Sequence, residues 1–326
     1  MWEHDARLDA KPDYGTLGLS PDANSNGPIT VPQRGLQAPW AVLAGVLAAL
    51  AVVSVNSGVA RAGWQKLEHY LSLQGKAVPA SPGILSQRET ESLAQKDAQH
   101  QATLLLERAI NRYEGANEQI AERVEGWRGH LTLDPQLNSL ITTGMNSNDL
   151  RVRAAAIEVD LAALNVAKTA ESVERLEQQA ESGTQQERVW AIWTLGLLGN
   201  RGVEPQRVHQ VLSAGLRDSN VEIRQWAVEG FSYLGTDDAL QPLLKEMHDD
   251  PSPAVRERAA CGLAQSGMFN EQQRNSVVPE LLNYAEDGSL DQATHAWTYH
   301  ALRDITGQSL PDNAAAWRGW YEASGN

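Results

Sequence analysis

A short pattern that returns four times limits this chain more than any other feature. An arginine is followed three residues later by an alanine: Arg153 with Ala156, Arg188 with Ala191, Arg224 with Ala227, and Arg256 with Ala259. The arginines recur after 35, 36 and 32 residues (188 − 153, 224 − 188, 256 − 224). Val152, Ile223 and Val255 stand directly before three of them, and Asp149, Asp218 or Asp250 lies a few residues upstream. A shorter apolar run precedes the motif, as in Val211–Leu216 or Leu240–Leu244, and Gly199, Gly235 and Gly267 follow it. Two apolar helical stretches per period, with glycine stops, predict a unit of two antiparallel helices.

The motif has a physical reading. Asp or Asn before the second helix offers an acceptor to its orphan N–H groups. Ala191, Ala227 and Ala259 let one pair lie close on the next, while Val152, Ile223 and Val255 fill the layer. Neither helix pair buries its apolar face alone, so the units must stack.

On these residues the chain resembles the HEAT-repeat family in its short bacterial form over residues 135–310. Residues 311–326, with Trp317 and Trp320, are similar to the segment that closes many bacterial HEAT-type proteins, and we expect them to cap the array. Two departures stand out. Thr294-His295 occupies the place of Val-Arg in a fifth unit, and the second unit has Glu187 rather than an apolar residue before Arg188. The resemblance implies an all-α solenoid that docks a protein partner without catalysis and without a cofactor. It also extends to enzymes built of such units, the bilin lyases and DNA glycosylases. A glycosylase needs a basic face, which a net charge of −14 disfavours.

Upstream of the array the composition changes three times. Residues 1–39 are rich in Pro, Gly, Asn, Ser and Asp and carry no apolar period, which predicts a disordered tail. Residues 40–60 contain no charged side chain; at 1.5 Å per residue they span about 31 Å and predict one transmembrane helix. Trp40 and Trp64 bracket that span, with Arg34 and Arg61 just outside. A cleaved signal peptide is the rival reading, since Ala60-Arg61-Ala62 offers small residues at a cleavage position, but a 39-residue acidic leader argues against it. Lys and Arg are balanced across the span, so orientation rests on the acidic tail, which favours an extracytoplasmic solenoid on a bacterial inner or plasma membrane. Residues 61–87 read as a juxtamembrane linker and 88–134 as an amphipathic helical region that breaks at Gly115.

Candidate binding residues follow from the repeat. Trp190 and Trp226 are 36 residues apart (226 − 190), the arginine step, so they share one position in successive units. With Trp193, Glu229, Tyr233 and Arg258 they are expected along the side of the second helices that lines the concave surface of HEAT arrays, where aromatic and arginine side chains anchor partners. The competing reading packs the rings between repeats. Arg153, Arg188, Arg224 and Arg256 are expected to bridge acids such as Asp218 and Asp250 in adjacent units. No metal site is expected: His295 and His300 are five apart, off a common helical face, and Cys261 is the only cysteine. Neither a phosphate-binding loop nor a nucleophile elbow is present.

Overall fold

The computed structural model describes residues 83–325. The predicted tail, the span at 40–60 and nearly all of the 61–87 linker lie outside those residues. No helix among the described residues is long and apolar enough to cross a membrane.

Three helices precede the array: α1 (Gln87–Leu93), α2 (Ala98–Ile110) and α3 (Ala116–Trp127). The break expected at Gly115 is present; this residue takes a φ of +87° as it leads into α3, a conformation that favours glycine. Helix pairs then follow: α4 (Pro135–Met145) with α5 (Leu150–Ala163), α6 (Ala170–Ser182) with α7 (Gln185–Asn200), and α8 (Pro205–Gly215) with α9 (Val221–Leu234). A fourth pair is α10 (Leu240–Asp249) with α11 (Pro253–Cys261), which runs on into a π-helical turn at Gly262–Ser266. After the short α12 (Glu271–Ser276), α13 (Val278–Glu286) pairs with α14 (Gln292–Thr306), and α15 (Ala314–Ala323) closes the chain. The architecture is an α-solenoid, and no named strand occurs among the described residues.

Second helices stack directly on one another in the order α7, α9, α11, α14, and the first helices pack on them, α6 on α7, α8 on α7 and α9, α10 on α9 and α11, and α13 on α14. The close approach has a local cause. A Cβ on Gly196 of α7 would fall 2.8 Å from the Cα of Gly230 in α9, so only glycine lets these backbones meet. Ala191, Ala227 and Ala259 are fully buried in the same layer. The departure at Thr294-His295 does not interrupt the stack: Thr294 is buried and α13–α14 forms the fifth pair. At the end, Trp317 is fully buried, donates to the Pro311 carbonyl at 3.0 Å and meets Trp320 edge-on, while α15 packs on α13.

Two sequence expectations are corrected here. Gly199 does not stop α7, which runs through it to Asn200; it is an interior contact whose Cβ would strike Leu234 and Val208. The α4–α5 pair does not stack as a regular first unit either. Helix α5 packs chiefly on α3 and α4 and only slightly on α7. Its sequence, LRVRAAAIEVDLAA, is apolar round most of its circumference, the property of a helix covered on two sides.

Candidate functional site

Four arginines organise the edge of the array where first helices turn into second ones. Each donates to a carbonyl upstream in its own unit: Arg153 to Ser147, Arg188 to Ala180, Arg224 to Asp218 and Arg256 to Asp250. Three also reach a carboxylate of the next unit. Arg188 meets Asp218 at 2.5 Å, Arg224 meets Asp250 at 2.7 Å, and Arg256 meets Asp291 at 2.5 Å. Asp218 and Asp250 sit two residues before the cap position, where they also accept the main-chain N–H of Asn220 and Ser252. The Arg188 hydrogen bond holds the Asp218 carboxyl below its usual range, and the Asp250 hydrogen bond raises Arg224. This edge is a row of inter-repeat joints.

Arg153 differs. The turn that would face it, Ser182-Gly183-Thr184-Gln185, carries no acid. Its guanidinium instead donates to the carbonyls of Gln265 and Gly267, each at 2.8 Å, which close the π-helical end of α11. Burial pushes this arginine down from its ordinary pKa.

The stripe on the second helices turned away from the first helices holds the other candidates. Trp226, Glu229 and Tyr233 follow at i, i+3 and i+7 on α9, about a quarter turn round the helix from Ala227 and Gly230, which meet Gly215 and Leu212 of α8. Trp193 of α7 meets Trp226 edge-on at 5.8 Å and Tyr233 at 4.8 Å. Arg258 of α11 pairs with Glu229 at 2.6 Å. Trp193, Trp226 and Tyr233 thus form one ring cluster beside the Glu229–Arg258 pair, but Trp190, Trp193, Glu229, Tyr233 and Arg258 are all buried, and only Trp226 is half-exposed. Their expected place on an open docking surface is corrected accordingly: the rings pack from one repeat to the next. The indole N–H groups of Trp190 and Trp193 find no acceptor among the described residues. Burial, then the neighbouring Glu229 carboxylate, raises the Tyr233 phenol.

Residues 173–264 match the family model of HEAT repeats. The match covers α6 to α11, the part of the chain in which first and second helices alternate most regularly. It begins after α5, in keeping with the separate packing of that helix. Among curated proteins none matches the chain. Two designed armadillo repeat proteins are similar structures. One, solved in complex with the peptide (KR)4, has 15% identity over 67% of this chain and 93% of its own, at a TM-score of 0.31. The other has 17% identity over 70% of this chain and 96% of its own, at a TM-score of 0.30.

Sequence reasoning missed three features. The carbonyl cradle for Arg153 is main-chain and leaves no trace in residue types. Asp160, fully buried on α5, stands at i+7 from Arg153 amid apolar residues, a signal that was available. His248 on α10, held by Asp249 at 2.6 Å and by Asp287 at 2.9 Å, gave no periodic hint. On the outer side, α6 and α8 part to leave a cleft of about 170 Å³ with Ile192 and Val211 in its wall and Glu177, Glu181 and Gln210 among its polar residues. No group of three His, Cys, Asp or Glu side chains among the described residues is arranged to hold a metal ion.

Proposed function

We propose that this chain is a membrane-anchored HEAT-type scaffold that docks a protein partner on its solenoid surface and performs no catalysis itself. The observation that carries the reading is the repeat array: stacked pairs give a rigid, extended face of first helices, and such surfaces serve repeat proteins for binding. With the inner stripe buried, the docking face is the outer one, where the cleft between α6 and α8 offers an apolar wall and the Glu181 carboxylate to an anchoring side chain, Glu177 being paired with Arg207. The uncharged stretch at residues 40–60 supports the membrane anchor.

A photo-crosslinking amino acid at Gln210, beside the cleft, tests the docking face, with a second chain carrying it at Arg318 as the comparison. A partner protein captured from membranes at position 210 and not at 318 is the expected result. Equal capture at both positions, or none, overturns docking on this face. Carbonate extraction of the full chain tests the anchor: it should stay in the membrane pellet, and release into the supernatant rejects a retained span.

A further inference from the structure

We infer that α5 is a built-in occupant of the array's inner face, latched there by Arg153 on the carbonyls that end α11, and that the face opens when this latch releases. The path of α5 across the second helices is fixed at two points, with a third group close to it. Arg153 lies at the end of α11 through the Gln265 and Gly267 carbonyls. Glu158 lies at the end of α7, where Arg201 reaches it at 3.6 Å. Between them Asp160 is within electrostatic reach of Tyr233, in the last turn of α9. Helix α5 thus reaches the C-terminal ends of the second helices from the second unit to the fourth through its side chains, while its packing is on α3 and α4.

The latch is chemically unlike the other repeat arginines. Arg188, Arg224 and Arg256 each hold a carboxylate, and breaking such a pair leaves two charges to be hydrated again. Every hydrogen bond from Arg153 goes instead to a main-chain carbonyl, two of them at the negative end of a helix. Release leaves no orphan anion behind: the carbonyls take water and the guanidinium returns to solvent. Helix α5 is also poorly tied to the repeats by packing, since its contacts are mainly with α3 and α4, so it can leave together with that bundle. A protein that reaches Tyr233 or Gln265 must first displace it. The inference concerns a contact within the chain and stands or falls independently of the outer docking face proposed above.

The chain carries its own reporter. Cys261, the only cysteine, is buried at 7% exposure on α11, within electrostatic reach of Arg153. We would measure the rate at which a small thiol reagent modifies Cys261 in the full chain, in Arg153→Met, and in Arg318→Met as a surface control, with hydrogen exchange on the same samples. The expected result is modification roughly tenfold or more faster in Arg153→Met alone, with α5 amides exchanging faster and α9 amides unchanged, the pattern of a local opening. An unchanged rate in a folded Arg153→Met chain overturns the latch, as does faster exchange in α5 and α9 together. If Arg153→Met does not fold, the wild type decides: α5 amides that open separately from α9 uphold the inference, and amides of both helices that open as one unit reject it.

Discussion

Arg224 donates to both carboxylate oxygens of Asp250, Nε to Oδ2 at 2.7 Å and Nη2 to Oδ1 at 3.1 Å, and so joins the third repeat to the fourth. The side chains are 10% and 1% exposed, whereas the corresponding Arg188 and Asp218 are 25% and 18% exposed. Removing Arg224 strands a buried carboxylate, so Arg224→Ala should lower unfolding stability by about 3–5 kcal/mol. The Arg188→Ala change exposes its partner to water and should cost about 1 kcal/mol or less. Urea unfolding of the two variants checks the ratio, and equal losses would show that burial does not set the strength of these joints.

A second consequence of that joint is a pH dependence. Glu246, 8% exposed, lies one helical turn before Asp250, and burial, reinforced by the Asp250 carboxylate, raises its pKa to about 7. An acid with a raised folded pKa binds its proton more tightly in the native state than in the unfolded one. Its contribution is fully present below the ordinary carboxyl value of 4.5 and is lost as pH rises through about 7. Glu246→Gln, which keeps the shape and cannot ionise, should lose less stability than the wild type between pH 5 and pH 8 and melt higher than the wild type at pH 8. Thermal melts across that range decide it; a variant that loses stability from pH 5 to 8 as steeply as the wild type rejects the assignment.

His248 contributes in the same direction from a different cause. Burial opposes its charge, but the hydrogen bonds to Asp249 and Asp287 outweigh it and the imidazole pKa is raised. A raised base stabilises the fold below its ordinary value of 6.5 and loses that contribution as pH climbs through the higher folded value. Because Asp287 belongs to the turn after α13, the imidazole ties the fourth unit to the fifth. His248→Gln should reduce the stability loss above pH 6.5, where the Glu246 contribution is still being lost up to about pH 7, and leave the loss below 6.5 intact. A double variant with Glu246→Gln separates the two, and a His248 imidazole signal that titrates below 6.5 by NMR would exclude this role.

What the residues disclosed follows from which interactions are local. The period of Arg153, Arg188, Arg224 and Arg256 marked the second helices because capping, helix packing and the Arg–Asp joints all act within one repeat or between neighbours. The break at Gly115 was legible for the same reason, being a backbone requirement of one residue. Helix α5 was misread as an ordinary second helix because its motif, Val152-Arg153 followed by Ala156, is that of the repeats. Its true placement depends on carbonyls at Gln265 and Gly267, 112 and 114 residues away, which no sequence pattern encodes. The spacing of Trp193, Glu229 and Tyr233 likewise put them on one side of neighbouring second helices. Their burial, which depends on what lies over that side, was not legible.

That burial yields a prediction about Trp193 and Trp226, which stand edge to face in neighbouring repeats and differ in exposure. Trp193 is 3% exposed and also touches Tyr233, so its ring is part of the joint between α7 and α9. Trp193→Ala removes a buried aromatic and both ring contacts and should cost about 3–5 kcal/mol. Trp226, half-exposed, has less area to lose, and Trp226→Ala should cost about 1–2 kcal/mol. Urea midpoints with unchanged m-values would report these losses as true stability changes. Should Trp193→Ala leave the midpoint unmoved, the ring is not packed between repeats, and the stripe regains its claim as a surface for a partner.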